Sequence, residues 1–370
     1  MSHVPLPSQS VLTVDLGAIV ANYRLLRSRL TGAECAVVVK ADAYGLGAIR
    51  VAPALAAAGA RHFFVAQLGE ALEIRDVLPP ETRIYVLNGM LPGEAEEFRA
   101  RGVVPVLNDL GQIEAWSREA QRSGRKLPAT LHFDTGMSRL GLSNGEADRL
   151  IAGPRHLEHI EVAIVMSHLA CADEPGHPLN ASQRDAFASR RRAFPQVPAS
   201  LANSSGIFLG PQYHFDLARP GCALYGINPT PGHPNPVGQV ARLSGKILQI
   251  RDVDPPKTVG YGATHRVTAT TRVATIAAGY ADGWLRSLSN RGSAYFGDLR
   301  VPIVGRVSMD LITLDVSSAP QIKVGDTVEL MGDRLPVDDV AAKAGTIGYE
   351  VLTRLGRRFA RVYVDLPAST

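Results

Sequence analysis

Apolar residues in the first 225 positions recur in one order: a short apolar run, a polar or glycine break, then apolar residues at helical spacing. The runs at 36–40, 62–67, 83–88, 103–108, 129–134, 162–168, 199–203 and 214–217 read as strands. The segments 48–58, 68–77 and 110–123 read as the helices between them. Strands that alternate with helices pair in parallel, because each helix carries the chain back across the sheet. A count of eight favours a closed (β/α)8 TIM-type barrel over an open sheet. Residues 228–239 read NPTPGHPNPVGQ, and four prolines at that density mark a connector. Beyond it, β-type runs at 240–251, 270–278, 300–307, 311–316 and 327–331 follow one another without a helical stretch until about Val337. The expected division is therefore an α/β barrel over 1–236 and a mainly-β C-terminal domain over 237–370.

Composition narrows the class without naming a function. Hydrophobic residues at 45% and charged residues at 20% exclude wholesale disorder. The net charge of +4 is small for 370 residues, and the longest basic cluster, Arg190-Arg191-Arg192, lies in a helical stretch and reads as a solvated face. Neither nucleic acid nor a membrane is an expected partner, since no apolar run approaches spanning length. Cys35, Cys171 and Cys222 are few and odd in number, which argues for a reducing compartment. The segment MSHVPLPSQS shows no signal-peptide pattern, so a cytoplasmic setting is expected.

In a barrel of this kind the reacting groups sit where strands end. Those ends here are Lys40, Gln67, Asn88, Asn108, Asp134, His168, Asn203-Ser204 and Arg219. A lysine closing a buried strand is partly desolvated, which lowers its pKa and suits it to Schiff-base or proton-acceptor work. Tyr44, Gly45 and Gly47 follow it with a hydroxyl and a close-approach backbone suited to phosphate. A strand-end lysine facing solvent, with glycines for the turn, explains the same residues. Arg139, in DTGMSRLG, can clamp a carboxylate through paired hydrogen bonds, or simply pair with Asp134. The spacing of His168, Cys171, Asp173 and His177 matches no familiar zinc pattern, and a hydrogen-bonding histidine is the better reading. Ser204 and Gly221, after the last two strands, offer donors where such barrels often hold phosphate. The C-terminal module adds VGYG, GYADG, GRVSMD and TIGYEV, which set tyrosines and other side chains beside glycines.

Taken together, VVVKADAYGLG, DTGMSRLG, SHLACAD, NSS, RPGCALYG, VGYG, GYADGW, GRVSMD and GYEV resemble, in order, the motifs of the alanine racemase family, pyridoxal-phosphate enzymes of fold type III. The resemblance spans nearly the whole chain. It implies that Lys40 binds pyridoxal 5'-phosphate covalently, that Tyr44, Ser204, Gly221 and Tyr349 hold its phosphate, and that His168 and Asn203 belong to the same cofactor site. Arg219 would face the pyridine nitrogen. A guanidinium stays protonated, so it donates there and leaves a weaker electron sink, which suppresses side reactions such as transamination.

The resemblance further implies two bases, Lys40 for the D-enantiomer's face and Tyr261 for the L-enantiomer's. A tyrosine's ordinary pKa is about 10, so a basic role requires nearby cations or donors, for which His168 and Arg139 are candidates. Tyr261, Met309 and Asp310 would come from a partner subunit, making a homodimer with shared sites a mechanistic requirement. Arg139, Met309 and Asp310 would bind substrate, L- or D-alanine. Asp173, Tyr280, Arg286 and Arg306 would line the entry corridor.

One position departs from the family. Many members carry a lysine two residues before the Asp of DTGM, and its carbamate pairs with the arginine matching Arg139; here that residue is His132. A neutral histidine supplies no negative charge, so activity independent of bicarbonate is expected. Ser308 replaces a cysteine found in some relatives. The implied activity is interconversion of L- and D-alanine, for peptidoglycan precursors or for alanine catabolism. A racemase of broader range, acting for example on serine, is the nearest alternative, and a fold type III amino-acid decarboxylase a further one. Decarboxylases place acidic and cysteine residues of the β-module around the cofactor, whereas VGYG and SMD stand here. A single-barrel cofactor carrier would leave residues 240–370 without a role.

Overall fold

The computed structural model describes residues 9–365. Eight parallel strands form the N-terminal barrel: Glu34–Cys35 continued by Val37–Val38, then His62–Val65, Arg83–Val86, Val104–Leu107, Leu127–His132, Ile160–Met166, Ala199–Ser200 and Leu217–Ala218. They pair in sequence order from Val37–Val38 to Ala199–Ser200, and Leu217–Ala218 returns to pair with Glu34–Cys35. Backbone bonds from Arg219 N to Ala202 O (2.8 Å) and from Val38 N to Pro220 O (3.0 Å) complete the ring. The last strand lies a few positions later than the apolar run 214–217 predicts. His214 is instead buried in a turn with Nε2 2.9 Å from Ile207 O.

Local sequence explains the helices. Leu110–Ser123 starts at Asp109, whose side chain accepts from Gln112 N, and stops at Gly124, which adopts the left-handed conformation. Its buried face is Ile113, Trp116 and Ala120, and Trp116 meets Phe98 of the preceding helix edge-on at 6.3 Å. Ala48–Ala57 and Leu68–Arg75 occupy the other two predicted helical stretches. Phe63, Phe64, Val86, Leu107, Leu131 and Val165 fill the core with almost no exposure, leaving the strand ends as the polar rim.

The C-terminal domain is built on the long strand Ala241–Val253. Its first half pairs antiparallel with Thr327–Met331, and its second half, after a shift at Ile247/Gln249, pairs with Thr271–Ile276. Ser10–Asp15 joins this same sheet, antiparallel to Ala241–Val253 on one side and parallel to Ala360–Val364 on the other. The first strand of the chain thus belongs by pairing to the C-terminal sheet, although the whole barrel separates it in sequence from the rest of that sheet. Two helices, Val337–Ala344 and Gly348–Arg354, precede the last strand, and the second reaches back over the barrel rim. Among the described residues no helix is long and apolar enough to cross a membrane.

Candidate active site

Lys40 opens the site. The four residues after it, Ala41, Asp42, Ala43 and Tyr44, have φ of 53°, 55°, 53° and 57°, a left-handed turn. Non-glycine residues enter that region at a cost of about 1–2 kcal/mol each, so neighbours have to impose it. Glu70 accepts from Ala41 N at 2.7 Å while its other oxygen accepts from Ala66 N at 2.7 Å. Asp42 Oδ1 accepts from Ala48 N at 2.7 Å, and Arg361 Nη2 of the last strand donates to Gly45 O at 2.9 Å. A Cβ on Gly45 (φ 83°) would lie 2.5 Å from Leu352 O, so only glycine lets the C-terminal helix close on this turn. The turn aims Lys40 into the barrel mouth and buries Tyr44.

A cavity of about 550 Å³ lies at the mouth, within the usual range for small-molecule sites. Lys40, Tyr44, Arg139, His168, Asn203, Ser204, Arg219, Gly221 and Tyr349 all line it, together with His132. Nine positions singled out from separate motifs therefore converge, and Tyr349 arrives from the C-terminal domain. Lys40, Arg139 and Arg219 give the cavity three basic side chains, and among the described residues no aspartate or glutamate lines it. Such a site selects an anionic ligand.

Arg219 is buried at the centre. It donates to Ser167 O at 2.7 Å, to Ser200 Oγ, and toward His168 Nδ1 at 3.4 Å. Burial brings its pKa down to about 9, so it stays charged at neutral pH. His168 is held well below the usual imidazole value by burial and by the Arg219 charge, and His132 falls to about 4 for the same two reasons. Both rings are neutral at pH 7. Burial also lowers Lys40, helped by the charge of Arg139.

At the opposite end, Ser204 Oγ accepts from Gly221 N at 2.9 Å and Ala223 N at 3.3 Å. Tyr44 stacks on Tyr225 with centroids 4.6 Å apart and lies 5.9 Å from Tyr349. Gly221 has no Cβ to press on Tyr44, and the hydroxyls of Tyr44, Tyr349 and Ser204 share one end of the cavity. Asp134 does not pair with Arg139: its Oδ1 accepts from Gly136, Met137 and Ser138 amides at 3.0–3.1 Å. That loop is capped by the aspartate, which leaves the arginine free to face the cavity.

The other predicted residues lie outside this cavity. Tyr261 is 72% exposed and Met309 53% exposed, both on loops of the C-terminal domain. Gly279 packs against Met309 O, and Tyr280 N donates to Ser308 O at 3.0 Å, which groups Tyr280, Met309 and Asp310. Asp310 pairs with Arg358 at 2.6 Å. The Arg306 guanidinium crosses the Tyr261 turn, 2.8 Å from where Gly262 would carry a Cβ, and Arg286 is exposed nearby in sequence to Ser289, which bonds Val307 N. Asp173 is exposed, and its charge adds slightly to the upward shift of the Tyr349 hydroxyl that burial chiefly causes. Sequence reasoning passed over Glu70 and Ser200 and named Asn108 only as a strand end; all three orient the site without opening a motif of their own. The strand-then-Gln-x-x-Glu pattern at Gln67–Glu70 was the available signal for the first.

A barrel with a strand-end lysine, a hydroxyl-lined end and a buried arginine between them fits a class: pyridoxal-phosphate enzymes built on a barrel plus a β-domain. Residues 14–229 match the family model described as "Alanine racemase, N-terminal domain" and residues 240–363 that described as "Alanine racemase, C-terminal domain". The alanine racemase of Rhodospirillum rubrum is 54% identical over 357 residues, 96% of each chain. A catabolic alanine racemase of Mesorhizobium japonicum is 51% identical over 357 residues, 96% of this chain and 93% of that one. The crystal structure of the Bartonella henselae alanine racemase, with covalently bound pyridoxal phosphate, superposes with a TM-score of 0.94 at 43% identity, covering 97% of this chain and 100% of that one. The chain belongs to the alanine racemase family, and its cofactor is pyridoxal phosphate.

Proposed function

We propose that this protein interconverts L- and D-alanine in the cytoplasm with two bases, Lys40 from one protomer and Tyr261 from its partner. The observation that carries the reading is the basic cavity that gathers Lys40, Tyr44, Arg139, Ser204, Arg219, Gly221 and Tyr349 and, among the described residues, has no carboxylate in its lining. Its donors suit pyridoxal phosphate: Tyr44, Ser204, Gly221 and Tyr349 for the phosphate, Arg219 for the ring nitrogen, His168 and Asn203 beside it, and Lys40 for the aldehyde. When bound, the cofactor withdraws electrons from the substrate α-carbon and acidifies its proton.

The residues do the rest. Burial lowers the Lys40 pKa, which raises the fraction of free amine able to take a proton at Nζ. Tyr261 Oη does the same from the opposite face. Arg139 binds the substrate carboxylate, with Met309 and Asp310 closing the pocket from the partner. Asp173, Tyr280, Arg286 and Arg306 form the way in. Large side chains left exposed at Tyr261 and Met309 support an interface there. In this division 1–236 carries the cofactor lysine and 237–370 delivers the second base.

Circular dichroism of L-alanine over time tests the activity: decay to zero is expected, and a flat trace from cofactor-loaded protein overturns it. Mixing Lys40→Ala with Tyr261→Phe protein tests the shared site. Exchange of subunits should restore about a quarter of wild-type specific activity, because half the dimers then carry one intact site. No recovery after verified exchange places both bases on one chain.

A further inference from the structure

The reading of Arg139 as the carboxylate-binding residue leaves open what orients it. His132 ends the strand Leu127–His132 and Asn108 follows the neighbouring Val104–Leu107. Asn108 Nδ2 donates to Leu87 O at 3.1 Å and to Val106 O at 3.0 Å. Carbonyls only accept, so the amide is fixed and Oδ1 is the atom 2.7 Å from His132 Nδ1. Oδ1 also only accepts, so Nδ1 carries the ring proton. A neutral imidazole protonated there presents a lone pair at Nε2.

His132 lines the cavity, and the charged groups around it are Arg219, Asp134 and Arg139. Asp134 is committed to the loop amides, and Arg219 to Ser167, Ser200 and His168. Among the described residues neither His132 Nε2 nor the Arg139 guanidinium has a hydrogen-bond partner.

We propose that His132 is the positioning residue for Arg139: when a substrate carboxylate draws the guanidinium inward, His132 Nε2 accepts a hydrogen bond from it, in a tautomer dictated by Asn108. The proposal rests on the carboxylate role given to Arg139 above. A neutral acceptor has a chemical consequence. An anion opposite the guanidinium would share its charge, whereas a lone pair orients it and leaves that charge for the substrate.

The experiment compares wild type, Arg139→Ala, His132→Phe and Asn108→Asp by steady-state kinetics with L-alanine, and by 15N imidazole spectra of histidine-labelled protein. The resonances absent from His132→Phe identify His132 among the ten histidines. In wild type, with or without cofactor, Nε2 should be unprotonated; a protonated Nε2 overturns the proposal. His132→Phe should keep the bound-cofactor absorbance and raise KM about 5–10-fold with a much smaller change in kcat. Asn108→Asp stabilises the charged imidazole, turns Nε2 into a donor facing a cation, and should add an acidic limb to kcat/KM absent from wild type. An unchanged pH profile counts against the tautomer even if the phenylalanine variant does not fold. If Arg139→Ala raises KM and His132→Phe does not, the proposal alone fails. If Arg139→Ala leaves KM unchanged, the carboxylate reading fails and takes the proposal with it.

Discussion

Replacing Gly221 with alanine probes, through a single methyl group, the end of the cavity proposed to hold the phosphate. A Cβ at this position falls inside contact distance of Tyr44 Oη, 3.2 Å from Tyr44 Cζ and 3.4 Å from Val38 Cβ. Val38 is part of a barrel strand, so the tyrosine has to yield. Its ring is only 7% exposed, stacked 4.6 Å from Tyr225, and its backbone is fixed in the left-handed turn. The hydroxyl therefore swings away from the point where Ser204 and the Gly221 amide meet. Losing one hydrogen bond to a charged group costs about 1.5–3 kcal/mol, or roughly 10–150-fold in Kd. Titrating cofactor-free protein with pyridoxal phosphate, followed by absorbance, measures this directly. Tyr44→Phe removes the atom in the closest clash, so adding Gly221→Ala to it should cost no more than about threefold beyond Tyr44→Phe alone. A Gly221→Ala protein that binds within about threefold of wild type would refute the placement of Tyr44 and Gly221 on the phosphate.

Three further outcomes are expected. Tyr261→Phe should retain the bound-cofactor absorbance and slow racemisation of L-alanine by about 10²–10⁴-fold; a wild-type initial rate by circular dichroism removes it as a base. Acid should destabilise the fold through His132, whose pKa drops to about 4 in the folded state. The unfolded chain, with a histidine near 6.5, binds the proton first, so this stabilisation is complete above about 6.5 and is lost as pH falls toward 4. Between pH 7 and pH 5 it amounts to about 2 kcal/mol, with His168 acting in the same direction. Urea midpoints at the two pH values should show this drop, and His132→Phe should reduce it. Finally, removing and restoring bicarbonate should leave turnover unchanged, because no lysine stands at position 132; clear rescue by bicarbonate contradicts that.

Much of this molecule was legible because its signals are local. Most barrel strands are short buried runs followed by a helix with its own start and stop, and several side chains that line the cavity stand where those runs end. Lys40, His168 and Arg219 could be read in that way before any geometry was known. Ser10–Asp15 could not. Its apolar residues run straight into the helix Leu16–Ser28, and its partners lie more than 200 positions away, at Ala241–Val253 and Ala360–Val364. The left-handed turn after Lys40 was equally silent, because alanine and tyrosine disfavour positive φ and the one aspartate, which tolerates it better, does not announce four such residues in a row. It is imposed by Glu70, Asp42 and Arg361, which meet only in the folded chain. The reading of Asp134 as a partner for Arg139 failed for a related reason. Opposite charges five residues apart invite pairing, but three loop amides reach the carboxylate first.

The pairing of Ser10–Asp15 with Ala360–Val364 also sets a timetable for biosynthesis. A ribosome delivers the first strand long before either neighbour exists, so the barrel must assemble with an apolar tether waiting beside it. The C-terminal sheet can be finished only when Val11 meets Ala360, which is synthesised 349 positions later. Tyr349 and Arg361 arrive in that same late stretch. Nascent chains stalled before it hold Lys40 but neither the Arg361 clamp on its turn nor the Tyr349 hydroxyl at the cavity. Competence to capture pyridoxal phosphate is thereby tied to synthesis of the C-terminal sheet, and an early fragment has little means of sequestering the vitamin-derived aldehyde.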